Sequence, residues 1–494
     1  MRRDGAISRE ERSVETALII GGSERPGSRP DFERRSPITN EVVAKVASAT
    51  LDDAVLAVES CAQAFPAWSS SPPSLRRNIL LKAADLVERR KDELVKVMIG
   101  ETGASRPWAA FNVRLAADML REAASITTQI KGEIIPANKP GSFSMAVRRP
   151  AGVVLSIAPW NAPVILCVRA FSTALACGNT VVLKSSESSP GTQFIVAQLM
   201  QEAGLPAGVM NLISHAPADA GPVVEAMIAH PAVRRVNFTG STKTGRIVAQ
   251  VCAKYLKPAL LELGGKAPIL VLRDADVDAA VAATAFGAYM HQGQICMSTE
   301  RVVIDNAIAD DFAEKLAAKA RTLVAGNPLT SDVPLGALIS EKAAESVAEL
   351  IDDAIAKGAT LLCGGERSGA LMNAALLDRV SPEMRIYYEE SFGPVTCMVR
   401  VDSVEEAIKV ANDTEYGLSS AIFTRDVGLA LSIASRLDFG CCHINGPTVY
   451  DEAQMPLGGM KASGYGRFGG APGIHEFTEV QWISVEDPKQ HYPI

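Results

Sequence analysis

The run VVLSIAPWNAPVILCVRAFSTALACGNTVVLK, residues 153–184, decides the fold class. It opens on the apolar segment Val153–Ile157, turns through two prolines and an asparagine, and continues as a long apolar helix from Pro163 to Cys177. Gly178-Asn179 is a helix-stop signal, and Thr180–Leu183 is a second short strand. The alternation then repeats. Gln193–Ala203, Val223–Ile228 and Lys243–Lys254 read as helices, while Val209–Ile213, Val233–Phe238 and Pro258–Leu263 read as strands. Short apolar runs separated by amphipathic helices imply parallel strands joined by crossovers, the doubly wound α/β class.

Working outward, residues 52–105 carry apolar positions at helical spacing, among them Leu80, Leu81, Ala84 and Val87. After Gly264-Gly265 a second series begins, with strands expected at Ile269–Leu272, Val302–Ile304 and Thr360–Cys363. Helices are expected there at Ala279–Met290, Asp310–Leu323 and Lys342–Lys357. The glycine pair marks the boundary between two Rossmann-like domains. Ser142–Arg149 and Thr478–Val485 fit neither series and read as solitary exposed strands needing a partner edge, which a second copy of the chain would supply. Residues 1–16 read as a frayed extension without the apolar core of a targeting signal.

The 494 residues are 47% hydrophobic and 21% charged, an ordinary globular composition. Lys+Arg 49 against Asp+Glu 56 gives a formal charge of −7, which argues against nucleic acid or an anionic membrane surface as partner. No apolar run approaches the ~18 residues of a membrane span. The nine cysteines are scattered with no CxxC pair, a pattern expected of reduced thiols in the cytoplasm. Six histidines without HxxxH or HExxH spacing point to no metal site.

A few residues have the chemistry of a site. Cys296, in Gly293-Gln294-Ile295-Cys296, is a nucleophile if a base or a positive dipole generates its thiolate; otherwise it is a small buried hydrophobe. Glu262 ends an apolar strand just before Gly264-Gly265, where burial would raise its pKa and suit it as a general base; a strand-end Glu can equally reach solvent. Asn161 follows a strand's C-terminal end, where its amide could donate to an oxyanion or simply close a turn. Gly240-Ser241 joins a strand to a helix in a way that suits a pyrophosphate, although it is not a GxGxxG motif. Lys184 and Glu187 end an earlier strand, and a carboxylate there can accept from ribose hydroxyls. That acid precedes Gly240 by 53 positions, whereas in the standard dinucleotide fold it follows the glycine turn by ~20.

In this order the pieces resemble the NAD(P)-dependent aldehyde dehydrogenase superfamily, from about Ala17 to Val485. The motifs that carry the resemblance are Pro159-Trp160-Asn161, Lys184-Ser185-Ser186-Glu187, Phe238-Thr239-Gly240-Ser241-Thr242 and Glu262-Leu263-Gly264-Gly265-Lys266. They continue with Gly293-Gln294-Ile295-Cys296, Glu390-Ser391-Phe392-Gly393-Pro394 and Pro456-Leu457-Gly458-Gly459-Met460-Lys461. The resemblance implies two doubly wound domains plus a small β oligomerisation element: 1–128 with 150–262 binding NAD, 263–462 catalytic, and 129–149 with 463–494 bridging subunits of a homodimer or homotetramer. It implies Cys296 as nucleophile, Glu262 as base, and Asn161 with the Cys296 N–H as oxyanion hole. Lys184 and Glu187 would hold the adenosine ribose, Ser241 the pyrophosphate with Gly240 and Gly245 beside it, and Glu390, Phe392 and Trp160 the nicotinamide end. Phe468 stands where many relatives carry a Glu, which removes a second carboxylate for proton relay.

Local runs around Trp108, Cys296 and His443 look most like salicylaldehyde, vanillin and benzaldehyde dehydrogenases. The substrate implied is a small aromatic aldehyde; an aliphatic aldehyde or a semialdehyde is the alternative, and a cofactor-free thiol esterase a further one. Ala162 replaces a bulky aromatic and makes room for a planar ring, and Arg169 stands where a Trp is common and could meet a ring hydroxyl. Trp108, Phe111, Ile295, Met297, Tyr450 and Leu457 are the expected pocket walls. Glu187 would repel a 2′-phosphate, so NAD is expected as cofactor, with NADP possible.

Overall fold

A computed structural model of the chain describes residues 13–489, 492 and 494. Residues 1–12 of the expected frayed extension lie outside the described residues, whereas Val14–Glu15 is a strand paired in parallel with Val42–Ser48.

Two large sheets organise the molecule. The first has eight strands, and its core is five parallel ones. Across the sheet these run Ala259–Glu262, Val233–Thr239, Val153–Ile157, Thr180–Lys184 and Met210–Ile213. Val153–Ile157 comes first in sequence, and the chain winds outward from it in both directions. The order therefore reverses between Val153–Ile157 and Val233–Thr239, paired with Phe238 beside Ile157. In open α/β sheets such a switch point opens a crevice at the strands' C-terminal ends. Leu18–Ile20, Ser23–Arg25 and Gly464–Tyr465 extend the sheet's edges antiparallel. The parallel strands are buried on both faces, which explains their unbroken Val, Leu and Ile runs.

The second sheet has seven strands, with Ala267–Val271 in its interior between Thr299–Asp305 and Ser419–Phe423. Outside these lie Val395–Val401, Ala375–Asp378 and the antiparallel edge Thr360–Cys363 on one side, and Cys441–Ile444 on the other. The helices Val277–Tyr289 and Asn306–Arg321 pack on this sheet in one apolar cluster.

The two segments that read as solitary strands find their partner edge within the chain. Phe143–Pro150 pairs antiparallel with Thr478–Val485 along its whole length, and Glu133–Ile135 completes a three-stranded sheet. A pairing between positions more than 300 residues apart leaves no local signature. The sheet still presents an exposed apolar surface, with Ile134 73% and Trp482 75% exposed.

Candidate active site

Glu262 is the last residue of its strand and is only 1% exposed. Neither carboxylate oxygen makes a hydrogen bond. Burial pushes its pKa up to about 6, opposed by the Cys296 thiol and the Arg169 charge, and assisted by Asp451. The backbone after it passes between two other groups of the site. A Cβ on Gly264 would lie 2.5 Å from Glu390 Oε2, and one on Gly265 would lie 2.3 Å from the Cys296 carbonyl oxygen. Gly265 N–H donates to Glu390 Oε1 at 2.8 Å. Both glycines are thus required by close approach. Burial raises the Glu390 carboxyl to about 8, with Glu300 and Glu262 adding to the rise.

Cys296 follows a left-handed turn. His291 (φ 50°), Gln292 (φ 56°) and Gly293 (φ 71°) share that conformation, uncommon for the first two. Side chains pin the turn: Gln292 Nε2 donates to the Ala337 carbonyl at 2.7 Å, and Gln294 Oε1 accepts from Ile339 N–H at 2.8 Å. The thiol is half-buried, and its pKa lies well above the ordinary range. Burial is the main cause, followed by the neighbouring Glu262 and Glu390 carboxylates, against a smaller opposing effect of Arg169. The sulfur therefore rests as a thiol, and it could act as a nucleophile only after giving its proton to a base.

Asn161 ties two turns together. It stands just beyond Val153–Ile157 of one sheet, and its Nδ2 donates to the Gln294 carbonyl at 3.0 Å, in the segment that carries Cys296 toward Thr299–Asp305 of the other. An amide nitrogen carries two hydrogens, so one remains for a ligand. The Asn161 carbonyl accepts from Trp108 Nε1 at 3.0 Å.

At the crevice, Ser241 caps the helix Thr242–Lys254, accepting from Thr244 N–H. Gly240 N–H donates to the Glu262 carbonyl at 3.1 Å, and a Cβ on Gly245 would strike Leu263 at 2.4 Å. Lys184 Nζ meets Glu187 Oε1 at 2.6 Å. Although burial opposes it, this pairing and the nearby His215 keep the Glu187 pKa low and the carboxylate ionised. Phe392, at a left-handed φ of 47°, sits edge-on to Trp160 with centroids 5.8 Å apart.

The expected pocket residues divide. Trp108, Ala162, Ile295, Met297 and Leu457 are buried in one apolar cluster, with Phe111 and Cys296 packed against it. Tyr450 is outside that cluster, 48% exposed, with its hydroxyl on Glu452. Arg169 is buried, bonded to Asp451, and lies over the Phe468 ring at 5.6 Å. The pair lines a cleft with Met119, Ile126, Leu457 and Phe468.

Three participants escaped the sequence reading. Lys266 and Glu300 form a buried ion pair at 2.7 Å, and Glu300 also accepts from Ser391 N–H, Ser391 Oγ–H and Phe392 N–H, fixing the Glu390–Phe392 turn. Lys266 sits in a quoted motif, but Glu300 is marked by nothing local. Asp451, the partner of Arg169, is equally unmarked. Among the described residues no group of three His, Cys, Asp or Glu could hold a metal ion, and no helix is long and apolar enough to cross a membrane.

The profile of the aldehyde dehydrogenase family matches residues 25–483. The chain is 57% identical over 482 residues to a vanillin dehydrogenase of Pseudomonas fluorescens, covering 97% of this chain and 100% of that one. It is 49% identical over 482 residues to a salicylaldehyde dehydrogenase of Pseudomonas putida, with the same coverage of 97% and 100%. A crystal structure of a salicylaldehyde dehydrogenase from Pseudomonas putida G7, complexed with salicylaldehyde, superposes with a TM-score of 0.96 at 48% identity, covering 97% of this chain and 100% of that one.

Proposed function

The chain belongs to the aldehyde dehydrogenase family and is an aldehyde oxidoreductase, and from that premise we propose that it oxidises an aromatic aldehyde of the vanillin, salicylaldehyde or benzaldehyde type to its carboxylic acid with NAD. The observation that carries the chemistry is the convergence of Cys296, Glu262 and Asn161, drawn from both sheets, on one buried point. The aromatic substrate is supported by the named relatives and by the rings of Trp108 and Phe111, stacked 5.6 Å apart in the apolar cluster against which Cys296 packs.

Glu262 takes the thiol proton, and Cys296 Sγ adds to the aldehyde carbon. The resulting oxyanion is held by the free Asn161 N–H and the Cys296 main-chain N–H, where preorganised donors act most strongly. NAD, when bound, supplies the acceptor for the hydride that leaves the tetrahedral carbon. Cys296 then carries the acyl group as a thioester, which hydrolyses readily. Glu262, after releasing its first proton to solvent, takes one from the attacking water, and the acid departs.

The residues fit the dinucleotide. The helix start at Ser241 suits a pyrophosphate, beside Gly240 and Gly245. Glu187 has one oxygen on Lys184 and the other available for ribose hydroxyls. Glu390, whose charge acts on Cys296, would hold the nicotinamide end together with Phe392 and Trp160. Ionised Glu187 repels a 2′-phosphate, and Lys184 is already paired with it, so NAD is favoured over NADP. Arg169, held by Asp451, would meet a ring hydroxyl. Residues 1–128 with 150–262 form the NAD-binding domain and 263–462 the catalytic domain. The exposed apolar residues of the three-stranded sheet serve homodimer or homotetramer assembly, and nine free thiols suit a reducing cytoplasm. The test is kcat/KM across benzaldehyde, salicylaldehyde, vanillin and hexanal, with NAD and NADP each in excess. Preference for the three aromatic aldehydes with NAD is expected; a preference for hexanal would overturn the substrate assignment.

A further inference from the structure

His291, in the turn ahead of Cys296, has no role in the mechanism above. It is fully buried, and neither ring nitrogen makes a hydrogen bond. A buried polar group left unmade costs ~1–3 kcal/mol, so a phenylalanine would fill this space at less expense. The ring lies on Trp108, centroids 5.1 Å apart and planes 13° from parallel, and edge-on to Trp160 at 6.5 Å. Trp108 Nε1 donates to the Asn161 carbonyl, which has a second lone pair. Two parallel heterocycles thus stand side by side, one N–H already on that carbonyl and the other unengaged. The backbone that places the imidazole is left-handed and held by Gln292 and Gln294. A conformation of that kind persists only where the surroundings over-determine it.

We propose that His291 is a positioning residue for the oxyanion donor: in the substrate-bound enzyme its ring N–H is the second donor to the Asn161 main-chain carbonyl and, with Trp108, fixes the Asn161 amide against the aldehyde oxygen. This rests on the role given to Asn161 above. Burial depresses the imidazole pKa to about 3, so the ring stays neutral with one N–H throughout the working pH range, and the Asn161 main chain acts on it in the sense expected of an acceptor.

The test compares wild-type enzyme with H291F, H291Q, W108F, the H291F/W108F double variant and N161A. Each is read for single-turnover NADH formation, KM, Tm, and hydrolysis of 4-nitrophenyl acetate without dinucleotide. H291F keeps the stacked ring and loses the N–H. It should lower kcat and ester hydrolysis alike by about five- to tenfold, leave KM within about twofold, and leave Tm unchanged or higher. H291Q, which restores a donor, should recover part of the loss. Because both rings serve one carbonyl, the double variant should depart from the product of the single losses. Wild-type kcat in H291F, or a loss that tracks a lowered Tm, would overturn the inference, as would strictly multiplicative losses. N161A separates this from the underlying assignment. A loss of about 10²–10³ there with H291F unimpaired refutes His291 alone, whereas an unimpaired N161A refutes the role of Asn161 itself.

Discussion

Lowering the pH from 7 to 5 should reduce thioester hydrolysis about tenfold, because Glu262, the proposed base, would have to be ionised to take a proton from water. With its pKa raised by burial to about 6, the ionised fraction is ~0.9 at pH 7 and ~0.1 at pH 5. A solvent-exposed glutamate would lose less than a third of its ionised form over that interval. The measurement separates the NADH burst from the steady-state rate by stopped flow, so that acylation and deacylation are followed apart. Glu262→Gln should slow the second phase strongly and abolish its acid limb. The same displacement has a consequence for stability. Since the folded pKa lies above the unfolded one, ionising the group costs stability; the penalty is complete above about pH 6 and disappears below the unfolded value. The difference is worth ~2 kcal/mol, so Glu262→Gln should be more stable than wild type at pH 8 by that amount, or ~2 °C in a chain of this length. The gain should vanish near pH 4. A deacylation rate that changes less than twofold between pH 7 and 5, together with no pH-dependent stability difference, would refute the reasoning.

Cys296→Ala should abolish both steady-state NADH formation and the burst while leaving dinucleotide binding measurable by fluorescence titration. Lys266→Met leaves the Glu300 carboxylate buried without its ion-pair partner and should cost ~3–5 kcal/mol, read as a lowered urea midpoint. It should also raise KM for NAD, because Glu300 holds the Glu390–Phe392 turn. Asp451→Asn removes a charge that raises the Glu262 pKa, so its acid limb should move to lower pH. Arg169→Met removes an opposing charge and should move the limb the other way, which a pair of pH–rate profiles will show.

Much of this architecture was legible before any coordinates. The strands Val153–Ile157 and Thr180–Lys184 are buried on both faces, so their apolar runs are unbroken, and Gly178-Asn179 marks the intervening helix end. The family resemblance drew together Cys296, Glu262 and Asn161, whose local signals are weak one at a time. What stayed hidden depends on long-range encounter. Phe143–Pro150 and Thr478–Val485 each look like a lone edge, and only folding pairs them. Glu300 becomes significant because Lys266 and Ser391 meet it from distant positions. The elevated thiol pKa of Cys296 could not be read either, since it arises from burial, reinforced by the Glu262 and Glu390 carboxylates that come near it only in the folded protein. The burial of Arg169 was hidden for the same reason, because its partner Asp451 lies far along the chain.

The bond from Asn161 to the Gln294 carbonyl ties the turn that leaves one large sheet to the turn that enters the other. With the roles proposed for Cys296, Glu262 and Asn161, turnover is consequently a property of the finished molecule: base, oxyanion donor and sulfur come together only once both large sheets have formed and docked. Maturation and chemical competence arrive together, so appearance of turnover during refolding is a direct clock for the docking of the two halves.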